Sequence, residues 1–195
     1  AFPMKVTARL DEANVRVILG ELLPVTLALD EDGGGARWIR IDPARAIDFV
    51  ADDGLRVEVG GHLQWKTAGL PLPLTIKSAH LILRLAVAED EDGGHLVFHP
   101  SLETMDLKNI PGFLDTGIAN LINKRLAGEG DRLSWRFSRT LRASVPMGQG
   151  LAEIASFELS AGSGGVQITN DALLFTVDLG MRFTRTAPPP APDTP

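Results

Sequence analysis

The apolar positions of this chain change period several times, and the changes predict its elements. From Asp11 to Leu23, residues Val15, Ile18, Leu19 and Leu22 recur at i, i+3, i+4 and i+7, the spacing of one helix face. Asp11 has the chemistry of an N-cap, Leu10 and Val15 stand where a hydrophobic staple would form around it, and Pro24 ends the pattern. Period two takes over at Val25, Leu27 and Leu29, which alternate with Thr26 and Ala28. It resumes from Trp38 to Ile41, after the acidic, glycine-rich turn Asp30-Glu31-Asp32-Gly33-Gly34-Gly35. Asp52-Asp53-Gly54 signals a hairpin. The clearest alternation follows it: Leu55, Val57, Val59, Leu63 and Trp65 on one side, Arg56, Glu58, His62, Gln64 and Lys66 on the other. At roughly 3.4 Å per residue such a strand is about 35 Å long, well beyond the usual strand.

Leu70-Pro71-Leu72-Pro73-Leu74 must be extended, yet its prolines lack ladder donors and bar it from the middle of a sheet. A strand from Thr75 to Val87 follows, with Leu81, Leu83, Leu85 and Val87 on one face. The turn Asp90-Glu91-Asp92-Gly93-Gly94 then repeats the first acidic turn. Leu96 and Phe98 begin another strand, which Pro100 is expected to interrupt. Helical period returns from Ile110 to Ala127, where Ile110, Phe113, Leu114, Ile118, Leu121, Ile122 and Leu126 share a face. Pro111 suits the first turn of this helix and Gly128 its end, and its length is about 27 Å. Gly117 falls on the apolar side, where it is expected to admit a strand backbone. Leu133, Trp135 and Phe137 alternate, as do Ala155, Phe157 and Leu159. The last strand places Leu173, Phe175, Val177, Leu179, Met181 and Phe183 on one side. Residues 1–186 form one expected domain, and the proline-rich stretch 187–195 an expected disordered tail.

The order helix, many strands, helix, strands is that of an α+β fold with an antiparallel sheet, not of alternating βαβ units. Long one-sided strands bury a helix lengthwise when the sheet twists around it. The expected architecture is therefore a long, highly twisted antiparallel sheet wrapped around one or two amphipathic helices.

Composition narrows what such a fold does. Hydrophobic residues make up 44% and charged residues 23%, which excludes bulk disorder. The net charge of -6, with basic residues scattered singly, argues against a nucleic-acid partner. There is no cysteine, so disulfides, thiolate nucleophiles and cysteine metal sites are excluded. No apolar run reaches the roughly 18 residues of a membrane span. The chain opens on Ala1, and the expectation is an upstream segment, of which a signal peptide is one form.

Candidate chemistry is sparse, and the expectation is no enzyme and no cofactor. His95 and His99 have a metal-ligand spacing on a helix, but Leu96, Val97 and Phe98 read as strand, which sets the imidazoles about 13 Å apart. The acidic turns reach glycine by their fourth position and lack the Glu of a calcium loop, so they are expected to be hairpin turns. Ala161-Gly162-Ser163-Gly164-Gly165 has alanine where a nucleophile elbow needs its first glycine, and a flexible turn is expected there. No carboxylate pair is placed for acid–base work.

The aliphatic surplus has two readings. Either the helices and strands close on a fully packed core, or they leave a smooth apolar groove of the kind that suits acyl chains. The walls of such a groove would be Val15, Ile18 and Leu22 from the first helix and Phe113, Ile118 and Ile122 from the second. Val57, Leu63, Trp65, Phe175 and Val177 from the strands would complete it. The segments Leu10 to Leu29, Leu70-Pro71-Leu72-Pro73-Leu74-Thr75-Ile76 and Leu107 to Leu126 resemble the tubular lipid-binding (TULIP) superfamily. That superfamily includes the bactericidal/permeability-increasing-like and synaptotagmin-like mitochondrial lipid-binding domains. The resemblance spans Leu10 to Thr184 and rests on element order and apolar rhythm. It implies a twisted sheet wrapped around a long helix with lipid held between them. It also implies a lipid or other long apolar ligand as partner, transient membrane contact, and a periplasmic or envelope setting. The eukaryotic bactericidal-type members carry a disulfide that this chain cannot form, which implies a divergent bacterial branch. Oligomeric state is left open by the sequence. The different-class alternative is a structural or interaction domain of an envelope assembly with a sealed core.

Overall fold

The computed structural model describes residues 2–30, 36–67, 69–91, 93–108, 112–129, 133–137, 143–146 and 155–185. In chain order the elements are β1 (Phe2–Leu10), α1 (Glu12–Leu22), β2 (Val25–Ala28), β3 (Trp38–Ile41), β4 (Ala46–Val50), β5 (Gly54–Thr67) and β6 (Leu70–Asp90). They are followed by β7 (Gly93–Leu107), α2 (Gly112–Leu126), β8 (Ser134–Trp135), β9 (Ala143–Pro146), β10 (Ala155–Ile168) and β11 (Leu173–Arg185). The fold is α+β, with mostly antiparallel strands, a strongly curled half-barrel sheet and, among the described residues, the two helices α1 and α2. A seven-stranded sheet runs β2-β3-β5-β6-β7-β8 with β4 also on β5, and a four-stranded sheet runs β1-β11-β10-β9.

The first helix forms where its periodicity placed it. Asp11 caps it, accepting from the Asn14 amide at 3.0 Å while the Asn14 side chain accepts from the Asp11 amide at 3.3 Å, a reciprocal capping box. Val15, Ile18 and Leu19 are buried and Leu22 is half-buried. Ahead of the helix lies β1, which the reading of apolar period passed over. It pairs with β11 from Phe2↔Met181 to Leu10↔Leu173 and is fastened by Arg9–Asp171 at 2.6 Å.

The long hairpin β5–β6 dominates the larger sheet. Leu55, Val57, Val59 and Leu63 are buried as their alternation requires, and Asp52 takes φ 59° in the turn that starts β5. A Cβ at Gly61 would collide with the Arg40 carbonyl oxygen, so the β3–β5 approach requires glycine there. The Pro71 and Pro73 segment does join β6, pairing with Lys66 and Gln64 of β5. The β6–β7 ladder begins only at Ile76↔Leu107, so these prolines have an open flank, where a missing donor is tolerated. Pro100 does not interrupt its strand: β7 runs through it, paired at Leu83↔Pro100. Its other neighbour, β8, reaches only Leu96 and Val97, so that flank has no ladder for proline to break.

Two further expectations change. Ala161 to Gly165 is not a turn but part of β10, with a register shift between Ala161 and Gly164. A Cβ at Gly164 would sit 2.7 Å from the Thr176 carbonyl oxygen, so glycine serves close strand approach there. Gly117 is exposed with open space around it, so no strand packs on it. What ties α2 down is its opposite side: Ile118, Ile122 and Leu126 are buried, and Asn123 bonds both backbone groups of Leu102 on β7. Ile110 and Pro111 lie outside the described residues, as does the tail 187–195.

Candidate functional site

The buried side chains of both helices and both sheets form one continuous aliphatic core. Within it, the C-terminal end of α1 and strands of the seven-stranded sheet line a small cavity of about 30 Å³. Leu19, Leu22 and Leu23 roof it at the C-terminal end of α1. Val25 and Ile41 flank it, and Val57, Leu81, Leu83, Phe98 and Pro100 form its floor. Leu126 of α2 and Leu133 close the far side. Every one of these side chains is apolar. Leu22, Leu23 and Val25 are half-buried whereas Val57, Leu81 and Leu133 are buried, so the cavity meets solvent at the turn between α1 and β2.

The structure brings most of the expected groove residues together, though not around this cavity. Val15, Ile18, Val57, Leu63, Ile118, Ile122, Phe175 and Val177 belong to the single core, with Leu22 and Trp65 packed against it. Only Leu22 and Val57 line the cavity. Phe175 sits in an aromatic group, 4.7 Å from Phe137 and 6.0 Å from Trp135 between ring centroids. Trp65 lies under the Arg37 guanidinium at 5.3 Å and is eight residues from Val57, about 27 Å at roughly 3.4 Å per residue. The Phe113 side chain lies outside the described residues. Several lining residues were legible as inward-facing from their alternation, among them Leu81, Leu83 and Phe98. Ile41 was legible only as the end of the extended stretch from Trp38, and Pro100 was expected to interrupt its strand, so neither pointed to this cavity.

The polar candidates are engaged structurally. Asp30 accepts from the Arg37 amide at 2.8 Å and from Arg37 Nε at 2.7 Å. Those bonds hold its carboxyl below the usual carboxylate range. Asp90 of the second acidic turn pairs with Arg136 at 2.9 Å and lies 3.7 Å from His95 Nδ1. His95 and His99 both stand on β7, opposite Ala88 and Arg84. Residues 31–35 and Asp92 lie outside the described residues. Among the described residues, no group of three or more His, Asp or Glu is placed to hold a metal ion, and no helix is long and apolar enough to cross a membrane.

No family model and no curated protein matches the chain. Among solved structures it is similar to a crystal structure of lipopolysaccharide binding protein, at 12% identity and a TM-score of 0.43, over 100% of this chain and 54% of that one. The chain thus spans about half the length of that structure. A likeness of this degree fixes no ligand, so function has to be argued from the cavity and the core around it.

Proposed function

We propose that this chain is a non-catalytic lipid-binding or lipid-transfer module of TULIP-like build, which takes acyl chains between α1 and the concave face of the larger sheet. The observation that carries the reading is the cavity beside Leu19, Leu22 and Leu23: it is lined by apolar side chains alone, and Leu22, Leu23 and Val25 among them are only half-buried. Such a site offers contact area and no directional groups, which suits a long apolar ligand and little else. An envelope or periplasmic setting accords with the resemblance in the Leu10 to Leu29 and Leu107 to Leu126 segments. At about 30 Å³ the cavity accommodates only a fragment of a chain, so binding requires α1 to yield. That small volume is also what favours the second reading, a sealed-core interaction domain of an envelope assembly.

Organic extraction of the purified protein followed by mass spectrometry, with a titration of fatty acids of increasing length, separates the two. Trp135 is the suitable reporter, since Leu133 two residues earlier lines the cavity, and Trp38 and Trp65 are replaced by Phe. Affinity rising with chain length at about 0.8 kcal/mol per methylene supports the lipid reading. An empty extract with no response at any length leaves the sealed core.

A further inference from the structure

The cavity lies toward one end of the β5–β6 hairpin, and the other end carries an unrelated feature. Among the described residues, no β3 residue accompanies β5 beyond Trp38↔Gln64, and no β7 residue is paired with β6 before Ile76↔Leu107. The pairs Trp65↔Leu72, Lys66↔Pro71 and Thr67↔Leu70 therefore project as a two-stranded finger, about 10 Å long at roughly 3.4 Å per residue. Residues directly opposite in an antiparallel pair share a face. The face that buries Leu63 and Leu74 in the core thus continues outward as Trp65, Leu72 and Leu70. There it is uncovered: Leu70 is 72% exposed and Leu72 41%.

Charge is distributed to match. In a chain of net charge -6, the stretch from Val59 to Ala88 contains no Asp or Glu. Lys66 stands on the finger itself, and Lys108 follows beside its base, its amide bonded to the Thr75 carbonyl at 3.0 Å. The Arg37 guanidinium lies over the Trp65 ring at the finger's root, its charge met there by Asp30, so the cations the finger offers are Lys66 and Lys108. An apolar tip about as long as the depth of a bilayer interface, with an indole at its neck and lysines behind it, has the amphipathic order of a membrane surface.

We infer that the β5–β6 finger is a docking element for an anionic lipid bilayer, entered by Leu70 and Leu72 and steadied by Lys66. It does not rest on the cavity reading, because vesicle binding is read without any ligand in the core. The experiment is co-sedimentation with phosphatidylcholine vesicles, with and without phosphatidylglycerol. It compares the natural chain with Leu70→Ser/Leu72→Ser, with Lys66→Glu, and with Val17→Ser, which alters a 68% exposed residue elsewhere. Circular dichroism verifies that all are folded, and sedimentation velocity reads self-association. The double serine variant is expected to lose partitioning by about tenfold or more, from the apolar area withdrawn. Lys66→Glu is expected to lose about fivefold or more, on anionic vesicles only. Val17→Ser is expected to bind as the natural chain does, and the Trp65 emission should shift to the blue on vesicles. The inference is overturned if the natural chain stays in the supernatant with both vesicles, if the double variant sediments unchanged, or if Val17→Ser loses as much. A dimer that the serine pair dissolves, without vesicle binding, would assign the finger to a second copy of the chain instead.

Discussion

Asn123 is the residue whose loss best tests how α2 is held. Its side-chain oxygen accepts from the Leu102 amide at 2.6 Å, and its nitrogen donates to the Leu102 carbonyl at 3.0 Å. It thereby pairs with β7 as another strand would, at a point past the short β8, and covers an edge that would otherwise offer unpaired backbone. In Asn123→Ala both Leu102 groups lose their partner in a part-buried position. An unsatisfied buried group costs about 1–3 kcal/mol, so two cost about 2–6 kcal/mol, and partial hydration of this part-buried site brings the sum to about 2–4 kcal/mol. With a urea m-value of about 2 kcal/mol/M, the unfolding midpoint falls by about 1–2 M at unchanged slope. Asn123→Asp keeps the acceptor for the Leu102 amide but sets a carboxylate oxygen against the Leu102 carbonyl. Its loss should match or exceed that of alanine at neutral pH and shrink once the carboxyl is protonated. Amide exchange at Leu102 gives a local readout. A midpoint shift below about 0.3 M for alanine, with Leu102 still protected, would refute the clamp and leave α2 held by its apolar face alone.

Two further substitutions test the face assignments and the surface electrostatics. Ile118, 5% exposed, should not tolerate aspartate, which would cost several kcal/mol and unfold or nearly unfold the domain, whereas the half-buried Leu121→Asp should cost less. Equal losses in urea titrations would refute the placement of α2. Thr169 and Arg9 bond the Asp171 carboxylate and hold its pKa below the ordinary 3.8. A depressed carboxyl stabilises the fold fully above its unfolded value, and that contribution is lost as pH falls through the folded one. Melting temperature should therefore drop more steeply below about pH 4 in the natural chain than in Asp171→Asn, and parallel curves would sink the assignment.

How far the sequence discloses this structure depends on where the signal lies. Helix α1, the β5 alternation and the one-sided β11 were legible because a single face of each is buried over several turns or pairs. Strand β1 has the same signal, Met4, Val6 and Ala8 against Lys5, Thr7 and Arg9, but its apolar face is poorly covered, with Met4 and Val6 exposed. The strand β4, joined to β5 through the Asp52 turn, alternates Ile47 and Phe49 with Asp48 and was passed over. Pro100 and Ala161 to Gly165 were misread for a shared reason: proline and glycine break strands by default, and only neighbouring strands decide whether the break matters. The same holds for the site. Inward orientation is a local property that alternation reports, whereas the point at which packing fails to close depends on how α1 and α2 meet the sheet. Asn123 was invisible because an amide on a helix has many uses, and its target on β7 is set by tertiary approach.

The cavity wall best able to move is α1, and that sets where an affinity series begins. The floor strands are locked in ladders of many pairs, β5 with β6 and β6 with β7. Helix α1 is held by the buried side chains of Val15, Ile18 and Leu19, and by Arg16, which donates to the Ala44 carbonyl at 2.9 Å. Exposing three such side chains costs about 1.5–3 kcal/mol each, so lifting the helix fully costs about 5–9 kcal/mol. A ligand that restores about 0.8 kcal/mol per buried methylene needs some six to eleven methylenes to offset this, before the cost of immobilising it. Hexanoate should therefore leave Trp135 fluorescence unchanged, binding should set in near a ten-carbon chain, and affinity should climb beyond it. Arg16→Ala, which removes the latch to Ala44, should move that onset to shorter chains. Binding that is equal for six and sixteen carbons would mean that α1 does not lift, and that whatever the ligand touches lies outside this cavity.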